Sequence, residues 1–476
     1  MINRDDKVSG TEANTALTDS EAIGTGQRIV LASAILLFVI TRAYLLCFFR
    51  AELSELNGPI FEYGVKGVDF HIAPYSEDLP IEYPPLAWWT IRTARLLERP
   101  PIDDVDNRPQ VEMALTAFRR DFRVLMSLAD LVSFFLWLLI VQRRRPQWIG
   151  WAAVSYVIVT AGLGHVLYDR LDVGLLMLLL AWAYCWLLAI EAPQGSIGWS
   201  AGAYLALGLA ISYKFVPVIV VPFLLLSQWR LPRRNVLLPV GVGALAVGTG
   251  LPFLIQFISS GPGVFGFLTY HAQREIQVES LYSTLMMIGA AFGAPTHIAH
   301  GHGGFNIVGA WESAMMWLAS SAMLGFLAVL GVWALARGPR YCGHDAYRLA
   351  CYVIGAAIIF SKVLSPQYFV WAIPFLILTA VDVLPERLVW RWMLLVALLA
   401  IVALTTWIFP YHYQRTADEP LGLVSWALAV DSSLPQRVTQ EILGARNFLY
   451  LAVVIWLGVQ TLRAKSAICS LNTQAP

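Results

Sequence analysis

The 476-residue chain has little charge: Asp, Glu, Lys and Arg make up 14% of it, and they nearly cancel to a formal +1. No basic run is long enough to neutralise a phosphate backbone, so nucleic acid is excluded as a partner. Cysteine is also scarce. The five are scattered over apolar runs, a basic loop (Cys342) and the C-terminal tail (Cys469), which leaves no disulfide framework. No convincing internal repeat appears, which argues against a transporter built from inverted repeats. A cleaved leader is not expected either, because the apolar run after the polar first 27 residues is too long for one.

What is abundant is hydrophobicity. Apolar residues make up 58% of the chain and mean hydropathy is +0.62. A helix needs about 20 apolar residues to cross a bilayer. The pattern predicts an all-α, polytopic membrane protein with about twelve spans, at 28–49, 121–142, 148–165, 173–190, 199–213, 215–229, 235–258, 312–336, 349–362, 367–384, 390–410 and 446–463. Residues 1–27 and 464–476 are expected to be cytosolic tails, the first of them disordered. Residues 50–120 and 259–311 are expected to be outer loops, the first carrying interfacial helices.

Orientation follows from the basic loops. Arg143-Arg144-Arg145, Arg230 with Arg233 and Arg234, Arg337 with Arg340 and Arg348, Arg387 with Arg391, and Arg463 with Lys465 all fall on one side. The positive-inside bias makes that side cytosolic, with both termini there. The opposite loops carry a different polar set: His165–Asp172 (HVLYDRLD), Lys214, Tyr270–Ser280 (YHAQREIQVES), Lys362–Tyr368 (KVLSPQY) and the stretch 411–445. Any one of Arg170, Lys214 or Lys362 reads equally well as a cation reaching for the membrane surface. Their collection on one face, against the charge bias, predicts a hydrated cavity open to the outer side.

The first outer loop joins that cavity. In Gly67–Leu86 (GVDFHIAPYSEDLPIEYPPL), Pro84-Pro85 makes a stiff strut that presents Glu82 and Tyr83. The chain can restart there as a helix over Leu86–Arg99, with Arg92, Arg95 and Arg99 on one face as in a helix lying at the interface. Three histidines in Ala294–Gly304 match no standard metal spacing and sit among glycines that leave the segment floppy, so no metal is expected.

An acid facing several cations suits one chemistry in particular. If a sugar on a lipid phosphate is attacked by an acceptor hydroxyl, one carboxylate takes the proton, while the phosphate leaves without needing an acid. Cations then hold the developing charge. Asp69, beside His71 and between Val68 and Phe70, is the candidate base, with Glu82 and Asp78 as rivals; a lone Asp also commonly caps a turn. Arg170, Lys214, Arg274 and Lys362 are the candidate phosphate partners. Arg170 stands between Asp169 and Asp172, so an internal ion pair competes for it. His271 is positioned to share or relay a proton.

The combination of a first-loop Asp, Glu82-Tyr-Pro-Pro-Leu86, Tyr213-Lys214 followed by Pro217 and Pro222, His271–Ser280 and Lys362–Tyr368 resembles glycosyltransferase family 87 over about residues 28–410. These are polytopic GT-C type enzymes that include mannosyl- and arabinofuranosyltransferases. The resemblance implies a polyprenyl-phosphate sugar donor, mannose or a pentose, inversion at the anomeric carbon, and a glycolipid or glycan acceptor, all within the membrane. It implies Asp69 as base with His271 as partner, and donor or substrate contacts from Glu82, Tyr83, Arg170, Lys214, Arg274, Glu279, Lys362, Gln367 and Tyr368. No cofactor is implied. The competing expectation is a membrane carrier or flippase for a lipid-linked sugar, which needs charges reachable from both faces.

Overall fold

The structure is a computed structural model that describes residues 24–48, 59–94, 108–192, 196–231, 233–409 and 434–464. It is a multi-pass bundle of helices, as the hydropathy predicts, and every predicted span coincides with helix. Among the described residues eight helices are long and apolar enough to cross a membrane. The expected twelve is therefore not reached by length: the helices at Ile149–Gly162, Ile197–Tyr213 and Gly343–Ala356 run to 14, 17 and 14 residues. The segment predicted at 215–229 splits into a 3₁₀ turn, Val216–Val220, and a helix, Val221–Trp229, because Pro217 and Pro222 each remove a backbone donor.

Burial sorts the helices. Helix α15 (Phe369–Val383) is buried along nearly its whole length at the centre. By contrast α10 (Arg234–Ser260) and α13 (Glu312–Ala336) turn large apolar side chains outward, including Ile258 at 77%, Trp317 at 76% and Leu324 at 68% exposure. That inversion of a soluble protein's pattern is what lipid as solvent permits. Pro239 and Pro252 lie inside α10, a frequency of proline that membrane helices tolerate.

Charges inside the bundle are matched. Arg42 of α1 (Thr25–Cys47) meets Asp130 of α4 (Arg108–Arg144) at 2.8 Å, and Asp130 also accepts from Tyr156 at 2.8 Å and Tyr168 at 2.9 Å. At the Arg-rich end, Arg144 forks onto Asp382 at 2.9 and 3.0 Å and contacts His344 at 2.9 Å, while Arg145 reaches Glu386. The basic loops thus gather at one end of the bundle.

The opposite end is more irregular than the sequence suggests. The region expected to be the first outer loop holds helix α2 (Pro59–Gly64), a π-helical turn over Val65–Asp69 and helix α3 (Pro85–Thr93). Pro85 opens α3 as expected, on an extended Pro84 (φ −61°, ψ 165°). The predicted helix ran on to Arg99, but Arg95 and Arg99 lie outside the described residues. Most of 411–445 also lies outside them. The second outer region is not all loop. It contains helix α11 (Gly266–Gln273), helix α12 (Leu281–Ala291) and an antiparallel hairpin of β1 (Thr296–Gly301) and β2 (Gly304–Gly309). The histidine-rich stretch expected to be floppy is that hairpin. His302 at its tip takes φ +50° beside Gly303 at φ +70°, the left-handed pair a tight reversal requires.

Candidate functional site

A cavity of about 480 Å³ sits at this irregular end, walled by segments far apart in sequence. The first loop supplies Glu82 and Tyr83, and the turn before α7 (Asp172–Glu191) supplies Arg170. Lys214 enters from the end of α8 (Ile197–Tyr213), and His271, Arg274, Gln277 and Glu279 from α11 and the chain after it. Lys362, Gln367 and Tyr368 close the wall. Of the residues named from sequence as site candidates, all but Asp69 and its rival Asp78 line this one cavity.

The first loop is fixed by its own bonds. Tyr75 takes φ +63°, its N–H donates to Leu79 O at 3.0 Å, and its hydroxyl donates to Tyr83 O at 3.0 Å. Gly263 presses on this loop so closely that a Cβ there would collide with Tyr75 O. The Glu82 residue is 9% exposed, and its carbonyl contacts His271 Nε2 at 3.2 Å. Its carboxylate has electrostatic reach to Tyr63, Tyr83, Tyr270 and Arg274. Asp69 instead closes the π-helical turn, half-buried, and takes part in an interaction of its own. Asp78 is exposed and does not line the cavity.

The cations divide into matched and unmatched. Asp172, 1% exposed, accepts from both Lys214 Nζ and Trp371 Nε1 at 2.7 Å, and the Lys214 ammonium lies 4.4 Å from the centre of the Tyr368 ring. Asp169 is taken by Arg119 at 2.8 Å and Arg123 at 3.3 Å. The internal pair that competed for Arg170 is therefore absent, because both neighbouring carboxylates are used elsewhere. Arg170 reaches only the Asp169 carbonyl, at 3.4 Å. Arg274 is 9% exposed and its Nε has no hydrogen-bond partner. Lys362 donates to Ala272 O at 3.1 Å, and burial followed by the nearby Arg274 lowers its pKa. Among the described residues, no carboxylate lies within ion-pair distance of Arg170, Arg274 or Lys362. Such a set is a ready anion site.

The chain after α11 is stitched in place. Gln277 N–H donates to Lys362 O at 3.0 Å, Val278 N–H to Phe305 O at 2.9 Å, and Ile307 N–H to Ile276 O at 2.9 Å. From the last helix, α17 (Leu434–Arg463), the fully buried Arg446 and Asn447 both donate to Glu279 O, and Asn447 also reaches Ser280 O at 3.1 Å and Thr284 Oγ1 at 2.9 Å. Burial pushes the Glu279 carboxyl up to about 8, although Arg446 and Arg274 pull the other way.

Several residues escaped the sequence reading. Asp172 was visible in HVLYDRLD, but nothing in the string told which cation it would bind. Trp371 looked like one more apolar residue of a span. Arg446-Asn447 was legible only as a polar pair at the start of an apolar run. His302 lines the cavity, receives the Tyr270 hydroxyl on its carbonyl at 2.7 Å, and packs edge-on to the Tyr270 ring at 5.3 Å. Among the described residues no group of three or more His, Cys, Asp or Glu is placed to hold a metal ion.

No protein-family model matches the chain. A curated relative, the polyprenol-phosphate-mannose-dependent alpha-(1-2)-phosphatidylinositol mannoside mannosyltransferase of Mycolicibacterium smegmatis, is 26% identical over 370 residues, 74% of this chain and 75% of its own length. Among solved structures, ArnT from Cupriavidus metallidurans bound to undecaprenyl phosphate aligns over 91% of this chain and 77% of its own, with 19% identity and a TM-score of 0.45. The apo form of ArnT gives 17% identity and a TM-score of 0.44. The chain is thus similar in sequence to a membrane mannosyltransferase, the kind of protein its motifs resemble.

Proposed function

We propose that the chain is a polyprenyl-phosphate-sugar-dependent glycosyltransferase that moves a sugar, with inversion, onto a hydroxyl of a glycolipid or glycan. The active face is the one opposite the Arg-rich loops, outside the cytoplasm, with both termini cytosolic. The observation that carries this reading is the cavity's charge pattern: an acid at one wall facing Arg170, Arg274 and Lys362, none of which has a carboxylate within ion-pair distance among the described residues. The named activity of the mycobacterial relative supports it and favours mannose as the sugar.

The chemistry follows from the placement. The acceptor oxygen forms a bond to the anomeric carbon as the bond from that carbon to the phosphate oxygen breaks. The acceptor's proton passes to a first-loop carboxylate. The phosphate gains a charge, and the unmatched cations stabilise it in a site with little water. Lys214 is already neutralised by Asp172, so its part is to hold Tyr368 and the wall beside the phosphate. The apolar wall of Val216, Ile219, Met323 and Ile358 offers the isoprenoid chain a way in from the membrane.

Glu82 is the base this geometry favours, since among the described residues it is the first-loop carboxylate that lines the cavity. A second reading keeps Asp69, which the motif favours and which closes the π-helical turn of the same loop. Purified protein supplied with labelled polyprenyl-phosphate-mannose and an acceptor separates the two. Glu82→Gln is expected to lower kcat by roughly 10²- to 10⁴-fold with donor binding retained. Full turnover in Glu82→Gln alongside loss in Asp69→Asn moves the base to Asp69. Labelled sugar-lipid crossing vesicles unchanged, with no transfer, replaces the enzyme reading by the carrier.

A further inference from the structure

We infer that the stretch Arg274–Glu279 is the subsite that reads the hydroxyls of the transferred sugar, with Gln277 and Glu279 as its specificity-determining side chains. This rests on the glycosyl-transfer reading above and goes beyond it by dividing the cavity into a phosphate end and a sugar end.

Three side-chain atoms on this short stretch are buried without a hydrogen-bond partner: Arg274 Nε, Gln277 Oε1 and Glu279 Oε1. Their residues are 9%, 3% and 1% exposed, and all three line the cavity. A buried polar atom left unsatisfied is costly, because it has given up its hydrogen bonds to water. Three within six residues, on side chains that all line one cavity, mark the wall where a ligand is to bond.

Looseness does not explain them, because the stretch is held by its backbone and by the Gln277 amide. Gln277 Nε2 donates to Glu279 Oε2 at 3.0 Å, which fixes the amide so that Oε1 is left over. Arg446 Nη1 stands 3.9 Å from Glu279 Oε1, within ion-pair distance and too far for a hydrogen bond. The backbone is held by Lys362, Phe305, Arg446 and Asn447.

The chemistry of the vacancies selects the ligand. Gln277 Oε1 accepts hydrogen bonds, and the Glu279 carboxyl accepts them or, holding the proton that burial favours, donates one, so the ligand must bring donors as well as acceptors. An ionised lipid phosphate has no donor, and an isoprenoid chain has neither. A sugar carries several hydroxyls that donate and accept at once, and can satisfy Arg274 Nε as well. Arg274 belongs to both ends, which ties the sugar directly to the phosphate that carries it and assigns the stretch to the donor sugar rather than to the acceptor.

The test measures binding to the full-length protein in nanodiscs, with polyprenyl-phosphate-mannose and sugar-free polyprenyl phosphate as probes. Gln277→Met, which keeps the shape and removes the acceptor, is expected to weaken the mannosylated lipid on the order of tenfold and leave the sugar-free lipid unchanged. Glu279→Gln serves as the second, near-isosteric variant should the first fail to fold. A mannose donor lacking the hydroxyl that Gln277 reads should bind wild type more weakly and lose nothing further in Gln277→Met. Equal weakening of both lipids, no weakening of either, or a rise in acceptor KM with donor affinity intact overturns the subsite. Wild-type protein that binds neither lipid overturns the transferase reading itself.

Discussion

The two ends of the bundle treat charge in opposite ways. Within the spans and toward the Arg-rich end, each buried cation described above has a carboxylate: Arg42 has Asp130, and Arg144 has Asp382. At the cavity end, among the described residues, Arg170, Arg274 and Lys362 have none, whereas Lys214 is neutralised by Asp172. A charge at membrane depth is costly unless paired or hydrated. Paired charges therefore fasten helices together, and unpaired ones lining a hollow are groups whose partner arrives from outside.

The sharpest way to break this contrast is to unpair a fastening charge. Asp130→Asn leaves the Arg42 guanidinium buried opposite a neutral amide, and should cost about 3 to 5 kcal/mol of stability. Thermal unfolding in nanodiscs reads it; a melting temperature equal to wild type would show that the pair does not hold α1 to α4. At the other end the signature should reverse. Arg274→Gln should leave the melting temperature nearly unchanged but weaken binding of polyprenyl phosphate by about 1.5 to 3 kcal/mol. Lys362→Gln should lose less, because this half-buried ammonium already has Ala272 O as a partner. Loss of folding without loss of affinity in Arg274→Gln would make it a fastening charge after all.

The smallest effect tests Glu279, which belongs to both regions. Its folded pKa is raised to about 8 from the ordinary 4.5, so between those values the folded chain holds a proton that the unfolded chain has released. Stability contributed by this group is then full below about 4.5 and falls as pH rises toward 8. The slope is at most about 1.4 kcal/mol per pH unit. Thermal unfolding scanned from pH 5 to pH 8 should lose this decline in Glu279→Gln; an unaltered pH profile would mean that Arg446 keeps the carboxylate ionised throughout.

The cavity's wall was legible in the sequence to an unusual degree, and the reason is specific. Ionisable residues are so rare in an apolar chain that Arg170, Lys214, Arg274 and Lys362 stood out on one face, and Glu82 was lifted from its loop by two prolines. The ranking of the first-loop acids was not legible. Asp69 and Glu82 are thirteen positions apart in a stretch whose course depends on left-handed turns at His71 and Tyr75 and on the fit of Gly263 against it. Periodicity reports which face a helix buries, and a loop of this kind has none. Span number failed for a related reason, since the four short apolar segments look like spans by composition and differ only in the length of helix that forms.

By itself the sequence determined that this chain lives in a membrane and which few ionisable residues stand out against its apolar runs, because solvation of apolar runs and of charges is a property of composition. Tertiary structure alone decided that Asp172 would claim Lys214 and leave Arg170 free of it, and that a hairpin and Arg446-Asn447 of the last helix would hold Arg274–Glu279 against the cavity. Pairing between groups 42 to 168 positions apart is settled by packing geometry, and no local pattern along the chain encodes it.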